Sequence, residues 1–295
     1  MSLNVIQPRP KLTGREIVRI VLSMTGACLI GAAVLGLVYL GTDRYRRAAG
    51  EAAERQAIRD MLGLDAAARV TEVRQFLARG ARRVVYRAAA FGDGAGRAHE
   101  VAFTLDGALA GDRDLSTAAP VPKDLAPLGR FFVATRSGGT RAQRGSGPLA
   151  GFVVEGRAQG YKSPVRFFVA MTPDFGIADM RVIETADDPG LGAEVAQDWF
   201  REQYVGRTAE EIANLSVTKD PMPEDWKAAL VALAKRAPDA LARHRALLER
   251  ERAKPIYAVT GATISSRAVT EGVRATVDHV RRRWWLLAPR LEGQL

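Results

Sequence analysis

Small and hydroxyl-bearing residues cluster directly before the last helix that the sequence predicts. They form the run Thr260-Gly261-Ala262-Thr263-Ile264-Ser265-Ser266. A short β-like segment, 256–259, precedes this run, and valines at helical spacing follow it from Val269. Free backbone N–H groups and the positive end of the helix dipole would face any anion placed at this turn. The run therefore predicts either a phosphate site or a hydroxyl that only caps the helix.

A second candidate segment is the loop Thr185 to Gly192, which reads TADDPGLG. Proline and glycine fix its course and leave room for close backbone approach at Pro189, Gly190, Leu191 and Gly192. We expect the adjacent carboxylates of Asp187 and Asp188 to be solvated loop charges. The sequence shows no nucleophile–base pair and no paired carboxylates typical of hydrolysis, so it predicts no catalytic residue.

Composition excludes several classes of site and partner. The chain has one cysteine, Cys28, so it cannot build a disulfide framework or a cysteine-ligated cluster. Its three histidines lie far apart and match no metal-ligand spacing, so no metal site is predicted. The net charge of +10 suits an anionic partner. Because the basic residues are scattered without interleaved aromatic residues, the pattern does not favour nucleic acid.

The N-terminal region contains an apolar segment long enough to cross a membrane. No charged residue lies between Arg19 and Asp43, and this stretch would span roughly 35 Å as a helix. The apolar region of a cleaved signal peptide is shorter and ends at small residues. We therefore predict one transmembrane helix over 20–42. Basic residues flank it on both sides, so charge alone leaves the orientation open.

The remaining sequence alternates between strand-like and helix-like patterns. It predicts a helix continuing over Tyr45–Leu64, a short helix over Val70–Ala78 and a mobile loop over Thr135–Pro148. Strands are predicted at 82–90, 100–105, 149–155, 165–171 and 177–184, with turns at 92–96 and 172–176. Further helices are predicted at 198–204, 209–212 and 224–253, the last broken at Pro238. The expected fold class is α+β, an antiparallel sheet with flanking helices.

Two motifs resemble those of a known family. The run TGATISSRAV, at Thr260–Val269, resembles the flavinylation motif of the FMN-binding domain shared by RnfG and NqrC, subunits of ion-translocating respiratory complexes. The run Pro189–Gly192 is similar to the ETPGLG loop that lies near the flavin in that family. An N-terminal span followed by an extracytoplasmic domain is a third similarity, and the order of all three is closest to RnfG.

The resemblance implies a covalent cofactor. In the family the last threonine of the motif carries FMN through a phosphoester bond, which corresponds here to Thr263. It also implies flavin contacts for Thr260, Gly261, Ala262, Ser265, Ser266 and the loop residues Pro189, Gly190, Leu191 and Gly192. The chain departs from the motif at Tyr257, where the family usually has an aspartate.

The function implied is that of an electron-transfer subunit of an Rnf-type ferredoxin:NAD oxidoreductase complex. The isolated chain would relay single electrons, whereas substrate turnover would belong to the complex. Implied partners are other membrane subunits of the complex and a flavin transferase for maturation. The implied location is the inner membrane, with the soluble domain on the periplasmic side. The alternative is a membrane-anchored scaffolding or binding module of the same fold without covalent flavin.

The predicted domain organisation follows from the same resemblance. It comprises a cytoplasmic tail (1–19), the transmembrane helix (20–42), a membrane-proximal α+β region (43–150), an FMN-binding domain (151–288) with a helical insertion at 224–253, and a C-terminal tail (289–295). Near the end, the run Trp284-Trp285-Leu286-Leu287 is either an interface to lipid or a partner, or part of the core.

Overall fold

The computed structural model describes residues 14–65, 67–91, 96–117, 119–136, 147–188 and 192–291. The glycine-rich turn predicted at 92–96 and the loop predicted at 135–148 lie mostly outside the described residues. The same holds for Pro189, Gly190 and Leu191. The chain divides into two compact units, 1–54 and 55–295, and we describe each by itself.

The first unit contains most of helix α1, Gly14–Leu62. Its segment Gly14–Asp43 contains an 18-residue stretch with a mean hydropathy of 2.2 and is long and apolar enough to cross a membrane, by length and composition. Large apolar side chains such as Leu29, Ile30 and Leu35 are exposed along it. The helical continuation predicted for Tyr45–Leu64 is confirmed as far as Leu62.

The second unit is built on one eight-stranded antiparallel sheet. Its strands are β1 (Arg69–Ala78), β2 (Arg83–Ala90), β3 (Arg97–Thr104), β4 (Leu109–Ser116), β5 (Leu125–Thr135), β6 (Leu149–Gln159), β7 (Pro164–Met171) and β8 (Ile177–Glu184). The spatial order is β4-β3-β2-β1-β5-β6-β7-β8. Strands from both predicted regions, 43–150 and 151–288, therefore join in a single sheet. The α+β class with an antiparallel sheet is confirmed.

The helix predicted over Val70–Ala78 is wrong, because this segment forms strand β1. β1 pairs antiparallel with β2 on one side and with β5 on the other. Its apolar residues Val73 and Phe76 are buried on opposite faces of the sheet, in separate clusters. Their spacing fits one face of a helix equally well, so pairing with distant strands decided the outcome.

Short elements and one long helix follow the sheet. The short elements are a 3₁₀ turn (Gly192–Ala196), α2 (Asp198–Glu202), α3 (Ala209–Ala213), β9 (Val217–Thr218), α4 (Glu224–Ala234), α5 (Ala240–Arg243) and α6 (Arg245–Arg252). Strand β10 (Ile256–Tyr257) pairs parallel with β9 and leads to the long helix α7 (Thr263–Leu291). The helical break predicted at Pro238 is confirmed, since the next residue, Asp239, has a left-handed φ of 58°.

Helix α7 packs across one face of the sheet and closes the main core. Its Val269, Val273 and Val277 belong to the same buried cluster as Phe131 and Phe167 of the sheet. Gly156 of β6 allows this close packing, because a Cβ there would lie 2.8 Å from Thr276 Oγ1 of α7. On the opposite face, the last turns of α1 pack on the sheet through Ile58 and Met61.

The end of α7 separates its two tryptophans. Trp284 packs against the core, with its ring 4.8 Å from that of Phe152 in an edge-to-face arrangement. Trp285 is 69% exposed. Core packing therefore accounts for Trp284, while Trp285 faces outward.

Candidate cofactor site at the start of the last helix

A tight turn connects β10 to α7. Gly261 has a φ of 80°, in the left-handed region that a residue without Cβ adopts at no steric cost. The Ala262 N–H donates to the Val259 carbonyl at 2.9 Å, and the Ser266 N–H donates to the Ala262 carbonyl at 2.9 Å. The latter is the first helical hydrogen bond of α7. The strand–turn–helix predicted from the sequence is confirmed.

The first turn of α7 presents backbone donors next to Thr263. The N–H groups of Thr263, Ile264 and Ser265 precede the first helical hydrogen bond, so they have no acceptor within the helix. Thr263 is half-buried, whereas Thr260, Gly261 and Ile264 are exposed. The positive end of the dipole of this 29-residue helix lies at the same point. An anion attached to Thr263 would therefore meet both the dipole and these N–H groups.

The two serines of the run are engaged inside the protein. Ser265 and Ser266 are fully buried. The Ser266 hydroxyl accepts the Val259 N–H at 3.1 Å, which closes the turn between β10 and α7. The Ser265 hydroxyl donates to Asp187 Oδ2 at 2.7 Å and accepts the Tyr161 N–H at 3.1 Å. Both side chains hold the turn in place.

Asp187 is not the solvated loop charge that the sequence led us to expect. Its side chain accepts hydrogen bonds from the backbone N–H groups of Tyr161 (3.2 Å), Lys162 (3.0 Å) and Ser163 (2.8 Å) and from the hydroxyls of Ser163 (3.0 Å) and Ser265 (2.7 Å). The residue is only 5% exposed. Burial by itself raises the pKa of this carboxyl, but the hydrogen bonds outweigh it and lower the pKa to about 2.

Two glycines make room for this carboxylate. A Cβ at Gly160 would lie 2.6 Å from Asp187 Oδ2, and a Cβ at Gly192 would lie 2.1 Å from it. Gly192 is the described residue of the predicted PGLG loop, and it packs against Asp187. Asp187 was missed because its partner Ser265 is 78 residues away. The sequence signal that could have pointed to Asp187 is an acidic residue close to a glycine, because carboxylates bind in the concave sites that successive backbone N–H groups form.

A second buried network supports the turn from the β10 side. The Gln203 side chain accepts the Tyr257 N–H at 2.8 Å and donates to the Tyr257 carbonyl at 3.2 Å. The buried Arg207 guanidinium donates to three carbonyls, those of Gln203, Arg252 and Lys254. These bonds fix the strand that leads into Thr260 and Thr263.

Tyr257, which stands at the aspartate position of the family motif, is itself buried. Its hydroxyl donates to Glu251 Oε2 at 3.1 Å. Glu251 is 1% exposed and also accepts from Arg250 and Lys254. Position 257 therefore faces a buried carboxylate in the folded chain.

Comparison with known proteins shows what the region around this site is similar to. Residues 160–278 match the family model of the FMN-binding domain. The matched region begins at the turn that surrounds Asp187 and extends into α7. The region that contains Asp187 and Thr263 is therefore similar to FMN-binding domains.

The chain is similar to components of ion-translocating complexes. It is 32% identical to the G component of the proton-translocating ferredoxin:NAD(+) oxidoreductase complex of Clostridium ljungdahlii, over 47% of this chain and 57% of the relative. It is 27% identical to the G component of the Na(+)-translocating ferredoxin:NAD(+) oxidoreductase complex of Acetobacterium woodii, over 46% of this chain and 51% of the relative. The chain thus spans little more than half the length of these relatives.

A solved structure, NqrC of Shewanella oneidensis, matches with 17% identity and a TM-score of 0.35, over 55% of this chain and 69% of that one. The resemblance to an RnfG- or NqrC-type FMN-binding subunit, predicted from the sequence motifs, is confirmed by the family model and the relatives.

Proposed function

We propose that this chain is a membrane-anchored electron carrier of an Rnf-type ion-translocating ferredoxin:NAD oxidoreductase complex, with FMN attached to Thr263 through a phosphoester. The observation that carries the proposal is the place of Thr263 as the partly exposed first residue of a 29-residue helix. The isolated chain would carry electrons, and substrate turnover would belong to the complex.

The residues around Thr263 fit an esterified phosphate. The N–H groups of Thr263, Ile264 and Ser265 and the helix dipole stabilise an anion at this position. Gly261 and Ala262 place no bulky side chain next to it. Thr260 and the loop Pro189–Gly192 are the proposed flavin-lining residues, and Ser265 and Ser266 hold the turn. Bound FMN supplies one- and two-electron redox chemistry, which the protein tunes through nearby groups.

Attachment requires an activated flavin nucleotide, for which flavin adenine dinucleotide has the right chemistry. Thr263 Oγ1 forms a bond to the phosphorus of the FMN half. The pyrophosphate P–O bond breaks, AMP leaves with that electron pair, and the hydroxyl proton passes to solvent. A flavin transferase is therefore a proposed partner for maturation.

The names of the relatives support the proposed assembly and location. Both describe parts of complexes that couple ferredoxin and NAD(+) to ion movement. Other membrane subunits of such a complex are the proposed partners. The apolar segment Gly14–Asp43 is the proposed anchor in the inner membrane. We place residues 1–19 in the cytoplasm and the FMN-binding domain, 151–288 with its insertion 224–253, on the periplasmic side.

The test is the intact mass of the full chain produced together with a flavin transferase. We expect an FMN-sized adduct on the wild type, fluorescent in a denaturing gel. Thr263→Ala should abolish the adduct. The control is Thr260→Ala, in the same turn. Thr260 is exposed and lines the flavin in this proposal but forms no covalent bond to it, so this variant should still carry the adduct.

Other outcomes would contradict the proposal. An adduct that survives in Thr263→Ala but disappears in Thr260→Ala would place the attachment site at Thr260 instead of Thr263. An unmodified wild type, produced beside a control flavoprotein that is modified, would exclude covalent FMN. It would favour the anchored scaffolding module of the same fold, with Thr263 serving only to begin the helix.

A further inference from the structure

We propose that Asp187 is a positioning residue for the phosphoester at Thr263. By binding the Ser265 hydroxyl, it fixes the first turn of α7 so that the N–H groups of that turn face the phosphate. This inference rests on the proposed attachment of FMN at Thr263.

The first turn of α7 is tied to a distant part of the sheet. Ser265 is the third residue of the helix and lies two positions after Thr263. Its hydroxyl bonds both to Asp187 and to the Tyr161 N–H in the turn between β6 and β7. Because the ends of helices fray, the buried hydrogen bonds of the third residue, Ser265, hold the first residue, Thr263, in position. Asp187 therefore acts on Thr263 through Ser265.

The contacts of Asp187 leave the helix N–H groups available. The carboxylate takes its backbone donors from Tyr161, Lys162 and Ser163, three successive N–H groups that form a concave anion site. From the helix it takes only the Ser265 side chain. The carboxylate and a phosphate at Thr263 thus use different donors, so the two anions do not compete.

The space around Asp187 admits an aspartate and little more. Gly160 and Gly192 lie so close to the carboxylate that neither position has room for a Cβ. Asparagine keeps the size but replaces one acceptor oxygen by an NH₂ group that faces N–H and O–H donors. Asp187→Asn therefore tests the charge and the acceptor pattern with little change in volume.

Asp188 provides a matched control next in the chain. Its side chain is half-exposed and pairs with Lys162 Nζ at 2.5 Å. Asp188→Asn removes the same charge from the same loop but leaves the bond to Ser265 in place. Ser265→Ala is the complementary variant, because it removes the tie to α7 while the donors at 161–163 still hold Asp187.

The first measurement is the rate of flavin attachment. The full chain, produced without transferase and held in detergent, is incubated with flavin transferase and flavin adenine dinucleotide, and the adduct is followed by intact mass. We expect Asp187→Asn and Ser265→Ala each to slow attachment about tenfold or more, as loss of a charged hydrogen bond predicts. Asp188→Asn should stay within about twofold of the wild type.

The double variant separates positioning from general stabilisation. If Asp187 acts through Ser265, then Asp187→Asn combined with Ser265→Ala is no slower than the slower single variant. Fully additive effects on the rate would overturn the proposal. So would equal rates for Asp187→Asn and the wild type.

Hydrogen exchange supplies a readout that needs no flavin. In a Thr263→Val background, Asp187→Asn should speed exchange of the amides of Ser266 and Arg267, the first amides that donate helical hydrogen bonds in α7, about tenfold, and Asp188→Asn should not. Unchanged exchange would show that the hydrogen bond between Asp187 and Ser265 does not hold the first turn of α7, and would overturn the proposal. A wild type that is never modified would overturn both the covalent attachment and a role for Asp187 toward it. A modified wild type with an equally fast Asp187→Asn variant would overturn only the role of Asp187.

Discussion

The hydroxyl of Ser265 donates a 2.7 Å hydrogen bond to the carboxylate of Asp187, which lies 78 residues earlier in the chain. Both residues are buried. The bond connects the start of the last helix to the loop that precedes the 3₁₀ turn, and through Tyr161 to the turn between β6 and β7. Three segments distant in sequence therefore meet beside the proposed attachment site.

Replacing Asp187 should weaken the fold at neutral pH and alter its response to acid. Because its pKa is lowered from 3.8 to about 2, the carboxylate stabilises the native state above pH 3.8, and this contribution is lost as the pH falls through about 2. We expect Asp187→Ala to lower the free energy of unfolding at pH 7 by about 2–4 kcal/mol. Urea unfolding of the solubilised chain measures this, with Asp188→Ala, expected below about 1 kcal/mol, as the control.

Glu202 should make the protein less stable as the pH rises through neutrality. It borders a polar cavity of about 520 Å³ with Asp179 and Arg201. Burial, and then the negative charge of Asp179, raise the pKa of Glu202 to about 7. Its protonated form is therefore favoured by folding, and stability falls between about pH 4.5 and pH 7.

The test variant for this pH dependence is Glu202→Gln. It should flatten the change in unfolding free energy with pH and raise stability at pH 8 by roughly 1–3 kcal/mol relative to the wild type. The exposed Glu210→Gln serves as the control and should preserve the wild-type slope. Parallel curves for Glu202→Gln and the wild type would contradict the assignment.

Adding one methyl group at Gly156 should disturb the contact between β6 and α7. A Cβ there would lie 2.3 Å from the Phe167 ring and 2.8 Å from Thr276 Oγ1. Phe167 is fully buried and has little freedom to move. We expect Gly156→Ala to cost about 1–3 kcal/mol of unfolding free energy by thermal or urea denaturation. Gly129→Ala, where nothing lies within 4 Å of the new atom, should change stability by less than about 0.5 kcal/mol.

Restoring the aspartate of the family motif at position 257 should reduce flavin attachment. Tyr257 is buried and donates to the buried carboxylate of Glu251. An aspartate would place a second negative charge there and leave a void. We expect Tyr257→Asp to lose about 3 kcal/mol or more of stability, whereas Tyr257→Phe loses about 1 kcal/mol.

The yield of the adduct, measured by intact mass, shows whether attachment depends on the packing of Tyr257 or on the aspartate that the family motif has at this position. A lower yield for Tyr257→Asp than for Tyr257→Phe is the expected result. A higher yield for Tyr257→Asp would mean that the transferase reads the carboxylate at this position directly.

Local patterns were sufficient for much of the chain. The apolar helix at the N-terminus, the hairpin through 172–176 and the strand–turn–helix at Thr260–Ser266 follow from hydrophobic runs, turn residues and short spacings. The similarity to FMN-binding domains came from the resemblance of two short motifs to a known family. These features depend on neighbours within a few residues, so their chemistry can be read from consecutive positions. Thr263 became the candidate attachment residue through the resemblance to the family motif, because its place at the start of a helix predicts only an anion site or a helix cap.

Tertiary structure decided the features that depend on distant partners. β1 is a strand because β2 and β5 pair with both of its edges, although its apolar spacing also suits a helix. Asp187 is buried because N–H groups at 161–163 and the hydroxyl of Ser265 converge on it. Sequence alone determined which residues begin the last helix, and it predicts an anion site there. Only the folded chain decided what holds that helix in place, because hydrogen bonds between segments far apart in sequence leave no local pattern.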